Sequence, residues 1–395
     1  MKFPLALLFP LLFASISHAN PRSAALWQLK NEQIALFEEI KLKSPYYAAD
    51  AQKWLDITRE MKRQIETKNA DFFVSPLSQN LLERAYFADN DGSAQPYFVA
   101  LPTGYTPRKK WPLAIFLHGY ASGITKISPW LPSDDTIRAA QNRGFILAIP
   151  YGRRNSDFVQ WGQDDLLAVQ SEIERIYSVD TTRISLLGAS MGGFGTLAAG
   201  LHLGGNFAAL APISARTDMF LWFKTAPEKL PAWKQILYRS DDPRTLAPNA
   251  RTTPIFLQHG ALDDIVPIEH ARRFAADAQK LQLPFKFHEE PRGDHWADFQ
   301  IPAYERAFDW LKTQKYEPPR KFSVVAGDLR EARGHFAQIE AFENYDQLAR
   351  LDVDVSVLRG KNAKIAVQTQ NVAAFSLEIP REWARDAGLV PLEIN

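Results

Sequence analysis

Apolar and polar residues follow three different patterns along this chain. Between Leu26 and Lys68, apolar residues recur at three- and four-residue steps among Glu, Lys and Gln, which is typical of amphipathic helices. From residue 96 to 313, short continuous apolar runs alternate with segments of helical period. After Pro318 and Pro319, apolar and polar residues alternate in steps of two, as half-buried strands do. The patterns therefore predict helices first, an α/β region next and a β-rich region last.

The central region, residues 91–317, is predicted to hold a mostly parallel sheet. Its apolar runs are continuous, which is typical of strands covered on both faces by helices. The strands are predicted at residues 96–101, 112–117, 145–149, 183–187, 207–213, 254–258 and 284–288. The helices are predicted at residues 136–142, 165–177, 192–203, 268–281 and 304–313. The fold class is therefore α/β, and catalytic residues are expected on loops at the carboxyl ends of the strands.

Two smaller regions flank the central one. Residues 20–90 are predicted to form an N-terminal helical segment. Residues 318–395 are predicted to form a small β-rich, sandwich-like domain, because alternating runs occupy residues 351–357, 363–367 and 373–379, and residues 392–395 resemble a further strand.

Composition and charge restrict the classes of function. Lys and Arg number 46 and Asp and Glu 45 among 395 residues, so the formal net charge is +1 and no basic footprint for nucleic acid is present. The absence of cysteine excludes disulfides, thiolate zinc sites and a thiol nucleophile. No metal-ligand motif or Gly-rich phosphate loop is evident in the sequence, so no metal or cofactor is expected. The oligomeric state is left open.

The N-terminus resembles a secretory signal peptide. Lys2 precedes a mostly apolar run from Phe3 to Ile16, and small residues at Ser17 and Ala19 fit a cleavage site before Asn20. The run is shorter than the ~20 residues that a membrane-spanning helix needs, which disfavours the alternative of an anchor. Residues 1–19 are therefore predicted to be removed on export, which leaves a periplasmic or extracellular product without a membrane span.

A candidate nucleophile lies between a predicted strand and a predicted helix. Residues 188–192 read G-x-S-x-G, and this motif has meaning in that strand-to-helix context. Gly188 and Gly192 let the strand and helix approach closely, so that Ser190 is held on a sharp turn with its hydroxyl clear of the sheet. The alternative, a glycine-rich packing turn, explains the glycines but not the serine.

A serine nucleophile needs a base and an acid that orients the base. His295 is predicted to be the base, because it lies on the loop between the last parallel strand and a helix. Asp263 is predicted to be the acid, because it follows the preceding strand in the pattern H-G-x-x-D-x-x-V-P, with Asp264 as the alternative. The other downstream histidines lie on predicted helices, strands or turns or in the β-rich domain: His202, His259, His270, His288 and His335.

Acyl transfer also needs donors for the oxyanion. The backbone N–H of Met191, at the start of the helix, is predicted to be the first. The second is expected on the loop after the strand at residues 112–117, where His118 and Gly119 precede Tyr120. The Tyr120 N–H is therefore the predicted second donor.

With these residues in order, the chain resembles the α/β-hydrolase superfamily, in its prolyl-oligopeptidase-like and esterase D-like branch. Residues 101–105, 150–158, 164–165 and 180–184 are similar to stretches that flank the catalytic motifs of that branch. The resemblance covers about residues 90–315 and implies an α/β-hydrolase fold and a secreted serine hydrolase without a cofactor. Prolyl oligopeptidases carry a large propeller before the hydrolase, whereas here about 75 residues separate the signal from the core, which disfavours a peptidase.

Three functions are open at this point. The first is hydrolysis of carboxylic esters, the second is cleavage of short peptides by a serine peptidase, and the third is non-catalytic binding on the same fold. The segment from Arg216 to Arg251 is rich in aromatic residues, so it is either a cap over the pocket or a segment packed on the sheet.

Overall fold

The computed structural model describes residues 20–357, 363–380 and 392–394 of the chain. It divides into a smaller unit, which ends at Phe98 and includes Thr125–Pro129, and a larger unit that holds Val99–Ile124 and the residues from Trp130 onward. The predicted signal segment 1–19 lies outside the described residues. The boundaries predicted at residues 90 and 317 stay predictions. In the described part of the chain no helix is both long and apolar enough to cross a bilayer.

The smaller unit is built on two antiparallel helices, as the periodicity predicted. Its elements are α1 (Pro21–Lys43), α2 (Ala48–Lys68), β1 (Phe73–Val74), β2 (Leu82–Phe87) and most of β3 (Ala94–Ala100). The Asn20 side chain caps α1 by accepting a hydrogen bond from the Arg22 N–H. Between the helices and the strands, the Lys30 ammonium lies 2.8 Å from the Glu83 carboxylate in a buried ion pair.

The larger unit contains the remaining described helices and strands. Its helices are α3 (Asp134–Asn142), α4 (Trp161–Ile176), α5 (Met191–His202), α6 (Met219–Trp222), α7 (Ala232–Ser240), α8 (Pro243–Leu246), α9 (Glu269–Lys280) and α10 (Ala297–Leu311). Its strands are β4 (Trp111–Leu117), β5 (Ile146–Pro150), β6 (Val179–Ala189), β7 (Leu203–Gly204), β8 (Ala209–Ile213), β9 (Ile255–Gly260), β10 (Phe285–Glu290), β11 (Lys321–Ala326), β12 (Arg333–Gly334), β13 (Ala337–Phe342), β14 (Ala349–Val357), β15 (Ala363–Gln370), β16 (Val372–Leu377) and β17 (Leu392–Ile394).

A parallel sheet forms the centre of the larger unit, and the α/β prediction is confirmed. Its strands lie in the order β5-β4-β6-β8-β9-β10, and every neighbouring pair in this order is parallel. Strands β4, β5, β8 and β9 are buried along their whole length, because helices cover both faces. The loops after β4, β6, β9 and β10 leave the same edge of this sheet, so the side chains they carry can meet.

The C-terminal region forms two antiparallel sheets around a core of its own, as the alternating pattern predicted. One sheet has the order β11-β14-β15-β17 and the other β16-β13-β12-β7. Strand β7 comes from the α/β region and pairs with β12, Leu203 with Arg333 and Gly204 with Gly334. The core is formed by the inward-facing residues Phe322, Val324, Ile339, Leu351, Val353, Ile365 and Val367. One predicted inward residue differs, because Ala373 in β16 is exposed.

The segment between β8 and β9 packs against α5. The Tyr238 ring contacts the rings of Phe220 and Phe223, at centroid distances of 5.7 and 4.8 Å, and packs on a cluster that includes Phe194 of α5. Trp233 remains 59% exposed. These contacts indicate that aromatic rings of this segment pack against one another and against α5. A role of the segment as a cap over the pocket stays a prediction.

Candidate active site

Ser190 lies on a sharp turn between β6 and α5. Its backbone has φ 58° and ψ −118°, a conformation that side-chain-bearing residues rarely adopt. The turn is held from both sides, because the Ser190 N–H donates to the Ile213 carbonyl and the Phe194 N–H donates to the Ser190 carbonyl, each at 3.0 Å. The surrounding structure therefore maintains a strained backbone that carries the hydroxyl at the carboxyl edge of the sheet.

The glycines of the motif are required by close backbone approach. A Cβ on Gly188 would lie 2.5 Å from the Leu117 carbonyl oxygen and 2.6 Å from the Gly192 oxygen. A Cβ on Gly192 would overlap the same Leu117 oxygen. No larger residue fits at either position without moving β4 away from the turn, which is the packing role that the sequence predicted for both glycines.

His295 connects Ser190 to Asp263. Its Nε2 lies 2.9 Å from the Ser190 Oγ, and its Nδ1 lies 2.7 and 2.9 Å from the two oxygens of Asp263. An ionised carboxylate only accepts hydrogen bonds, so Nδ1 carries the proton and donates it to Asp263. Nε2 is then the acceptor for the Ser190 hydroxyl, and this is the tautomer that a general base requires.

Asp263 is buried in the loop after β9 and is held as an anion. Burial by itself raises the pKa of its carboxyl, but hydrogen bonds from His259, His295 and the Val266 N–H outweigh burial and hold the pKa well below its usual range. The backbone N–H groups of Ile265 and Val266 donate to Oδ1 at 3.1 and 2.8 Å. The alternative acid, Asp264, is exposed to solvent.

His259 is a site residue that the sequence analysis did not recognise. It was expected to be a turn residue closing its strand, but it lies within β9 and is fully buried. Its Nε2 lies 2.8 Å from the Val266 carbonyl oxygen and 3.3 Å from Oδ2 of Asp263. Both oxygens accept, so Nε2 carries a proton shared between them. The motif H-G-x-x-D-x-x-V-P already contains this residue, because its first position is His259, four residues before Asp263.

The loop after β4 lies beside Ser190. A Cβ on Gly119 would be 3.9 Å from the Ser190 Cβ, which places this backbone next to the Ser190 side chain. The Asn155 side chain holds the loop, because its amide donates to the Ala121 carbonyl and accepts from the Ala121 N–H. The Tyr120 side chain is 68% exposed.

The His118 side chain contacts the backbone at the start of this loop. Its Nδ1 lies 2.8 Å from the Gly119 carbonyl oxygen and its Nε2 lies 3.1 Å from the Tyr151 carbonyl oxygen. Burial lowers the pKa of His118, although these backbone contacts oppose the shift. Met191 is the first residue of α5, so its N–H has no acceptor within the helix and is available at the same edge.

The structure does not bring His270 or His335 to this site. Nδ1 of His270 accepts hydrogen bonds from the Thr217 and Asp218 N–H groups. His335 lies between the hydroxyls of Tyr316 and Thr252, each at 3.2 Å. The His270 side chain is buried and that of His335 is half-buried, both have structural partners, and the sequence analysis excluded them for their positions on a helix or in the β-rich domain.

The comparisons with known proteins agree with this fold. Residues 151–316 match the model of the prolyl oligopeptidase family. An uncharacterized secreted protein of Arthroderma benhamiae is 26% identical over 246 residues, which are 56% of this chain and 26% of that protein. Dipeptidyl-peptidase 5 of Aspergillus fumigatus is 25% identical over 305 residues, which are 69% of this chain and 40% of the peptidase.

A solved structure matches this chain over nearly all of its own length. An S-formylglutathione hydrolase from Agrobacterium tumefaciens superposes with a TM-score of 0.50 at 15% identity, over 61% of this chain and 98% of the hydrolase. The chain spans about a quarter to two fifths of the length of the curated relatives it matches. The chain therefore has the α/β-hydrolase fold, and its residues 151–316 are similar to the prolyl oligopeptidase family.

Proposed function

We propose that this chain hydrolyses carboxylic esters through an acyl-enzyme intermediate, with Ser190 as nucleophile, His295 as general base and Asp263 as the orienting acid. The observation that carries the proposal is the continuous hydrogen-bonded path from the Asp263 carboxylate through the imidazole to the Ser190 Oγ. A non-catalytic binding protein has no need for this path or for the strained backbone at Ser190.

The reaction follows from the tautomer of His295. As the Ser190 Oγ attacks the ester carbonyl carbon, Nε2 takes the hydroxyl proton, and the negative charge of Asp263 stabilises the imidazolium that forms. When the tetrahedral intermediate collapses, the C–O bond to the alcohol breaks and Nε2 returns the proton to the leaving oxygen. Water then attacks the acyl-enzyme by the same transfers, which releases the acid and restores the Ser190 hydroxyl.

The backbone N–H groups of Met191 and Tyr120 are proposed to hold the oxyanion. Both belong to segments that reach the Ser190 turn, one as the first residue of α5 and the other next to Gly119. Donors of this kind stabilise the charge that develops on the carbonyl oxygen without reorganising during the reaction.

Replacing Tyr120 with proline removes the proposed donor and tests this assignment. A Tyr120→Pro variant is expected to lose about 10²–10³ in kcat, because one oxyanion donor contributes about that much. Tyr120→Phe keeps the N–H and is the matched control, with a kcat close to that of the wild type. A folded Tyr120→Pro protein that retains wild-type kcat would exclude the Tyr120 N–H as a donor.

A serine peptidase acting on short peptides is the second candidate. It is supported by the match to the prolyl oligopeptidase family and by the dipeptidyl-peptidase 5 relatives. Ester hydrolysis is preferred because esters carry a better leaving group than amides, so they make a smaller demand on the same catalytic groups.

A panel of matched substrates separates the two candidates. Chromogenic esters of short acyl groups and p-nitroanilides of aminoacyl, dipeptidyl and prolyl groups are compared by kcat/KM on the same preparation. We expect the esters to be preferred by at least about tenfold, after subtraction of the turnover by Ser190→Ala. Amide cleavage at a rate that rivals ester cleavage would make the peptidase the better assignment.

Export is part of the proposal. It rests on the signal-like residues 1–19, and the secreted relative is compatible with it. Sequencing of the mature N-terminus in the producing cell is expected to begin at Asn20, and a mature protein that retains Met1 would contradict it.

A further inference from the structure

Three buried or half-buried ligand-type side chains that the candidate active site does not use lie close together. His202 ends α5, Asp241 follows α7, and Glu331 lies in the short 3₁₀ turn Leu329–Glu331 that leads into β12. One ligand atom from each side chain lies within 4.8 Å of the other two. The sequence analysis expected no metal site, and spacing reveals none here because the tertiary fold alone brings these positions together.

The hydrogen bonds of His202 leave one of its nitrogens facing only acceptors. Nδ1 lies 3.1 Å from Oε1 of Gln163, to which it donates in the tautomer that leaves Nε2 unprotonated. Nε2 lies 2.8 Å from the Ser240 carbonyl oxygen, 3.2 Å from Oε2 of Glu331 and 3.8 Å from Oδ1 of Asp241. A neutral imidazole carries one proton, so in either tautomer one nitrogen directs a lone pair at acceptor oxygens: Nε2 at three of them, or Nδ1 at Oε1 of Gln163. Such an arrangement is unfavourable unless a positive charge lies between them.

The nearby arginines do not supply that charge. Within the described residues, neither Asp241 nor Glu331 forms an ion pair with a lysine or arginine; Arg330 pairs with Asp164, and Arg216 pairs with Asp157. The His202 side chain is itself buried, with 1% of its surface exposed.

We propose that this cluster binds a divalent transition-metal ion, with zinc as the expected ion. The ligands are Nε2 of His202, one oxygen each from Asp241 and Glu331, and the Ser240 carbonyl oxygen. Ligands of a tetrahedral zinc site at ~2.0–2.1 Å lie about 3.4 Å apart, and the distances from Nε2 to the three oxygens span that value. An imidazole together with carboxylates favours zinc over magnesium or calcium, which prefer all-oxygen sites.

The partner of Nδ1 supports the same assignment. A metal-bound imidazole usually donates its second N–H to a carbonyl or carboxylate, which fixes the tautomer and the ring orientation. Gln163 provides that acceptor from α4, and its side chain is buried. The proposed site therefore has two parts: the metal ligands, and the Gln163 side-chain amide, which orients the His202 imidazole.

The bound ion would link the hydrolase region to the C-terminal sheets. His202 directly precedes β7, which pairs with β12, and Glu331 lies two residues before β12. Zinc at this point would hold the ends of α5 and α7 against the turn that begins the second sheet. We expect it to stabilise this junction, and the proposal does not depend on the identity of the substrate.

The test measures zinc binding by the full chain after removal of metal with a chelator. Isothermal titration with ZnCl₂ is expected to give one site per chain, and zinc is expected to raise Tm, because a ligand that binds the folded state stabilises it. Glu331→Gln should weaken zinc binding by at least about tenfold and abolish the shift in Tm. Glu343→Gln alters an exposed acid of the same domain and should bind as the wild type does.

A second variant and two other metal ions complete the zinc-binding test. If Glu331→Gln does not fold, Asp241→Asn serves instead, because the Asp241 side chain is 24% exposed and its replacement disturbs less packing. Wild-type protein that binds no zinc, or a Glu331→Gln protein that binds it equally well, overturns the proposal. Nε2 of His202 would then carry a proton donated to Ser240 and Glu331. Titrations with MnCl₂ and CaCl₂ under the same conditions should show weaker binding than zinc, and tighter calcium binding would also overturn the assignment.

Discussion

Ser190→Ala is expected to lower kcat for a chromogenic ester by about 10⁶, because no acyl-enzyme can form without the hydroxyl. The residual rate should come from the oxyanion donors and substrate binding alone. A fluorophosphonate probe, which reacts with activated serines, should label the wild type in a one-to-one ratio and leave Ser190→Ala unlabelled. The variant loses only the side-chain oxygen, and the backbone hydrogen bonds of Ser190 that hold the turn remain. Its Tm should therefore stay near that of the wild type.

Ser214→Ala is the matched control for this experiment. Ser214 follows β8, directly after the residue whose carbonyl accepts the Ser190 N–H, and its own buried hydroxyl has no partner among the described residues. This hydroxyl forms no hydrogen bond with an imidazole, so its removal should change neither labelling nor kcat by more than about twofold. Labelling that persists in Ser190→Ala, or disappears in Ser214→Ala, would refute Ser190 as the nucleophile.

Asp263→Asn is expected to lower kcat by about 10⁴ with the fold intact. Asparagine occupies nearly the same volume, but its amide offers a donor where the carboxylate offered only acceptors, so it favours the tautomer with the proton on Nε2 of His295. That tautomer cannot accept the Ser190 proton. The measurement is kcat and kcat/KM for an ester across a range of pH, with circular dichroism to confirm the fold.

Asp264→Asn decides between the two adjacent carboxylates. Asp264 is exposed, whereas Asp263 lies 2.7 Å from Nδ1 of His295, so Asp264→Asn should keep nearly full activity. The reverse result, with Asp264→Asn inactive and Asp263→Asn active, would exchange the two roles.

Acid unfolding provides a second readout for Asp263. Its pKa is lowered in the folded chain, so the folded state binds the proton less tightly than the unfolded state, whose Asp pKa is about 3.9. Its contribution to stability is therefore complete above about pH 4 and decreases as the pH falls below that value. In urea unfolding, the difference in free energy between the wild type and Asp263→Asn should narrow below about pH 4, and a constant difference would contradict the lowered pKa.

Local periodicity was sufficient to predict the α/β class. The strand predicted at 112–117 is β4 and that at 145–149 is β5, and both are recognisable because strands buried on two faces contain almost no polar residue. Helix predictions were accurate within a few residues, except that α10 begins at Ala297, seven residues before the predicted start. Pro302 lies inside that helix, and because proline is unfavourable in a helix interior, the sequence analysis placed the start of the helix after it.

Strands that depend on distant partners were missed. Strands β1 and β7 are two residues long, and a segment of that length carries no periodicity. Strand β11 was not recognised either, because Lys321–Ala326 joins a sheet only through its pairing with β14. The C-terminal sheets are therefore more extensive than the alternating runs alone predicted.

For the candidate site, motif and topology together predicted the residues but not their contacts. The pattern around Ser190 fixes a turn through short-range sterics, and chain order in a parallel sheet brings the loops of Asp263 and His295 to one edge. The distances, the tautomer of His295 and the second imidazole on Asp263 depend on side-chain packing across those loops. Their catalytic roles stay predictions until the substitutions above are measured.

By itself, the sequence determined the fold class, the order of the structural regions and the motif that bends the chain at Ser190, because all of these follow from interactions between residues near one another in the chain. Only the tertiary structure decided what meets across long separations. It joined His259 to Asp263 and assembled His202, Asp241 and Glu331 from three segments. Such groupings depend on how helices and strands pack, and a linear pattern carries no distance between segments that the fold brings together.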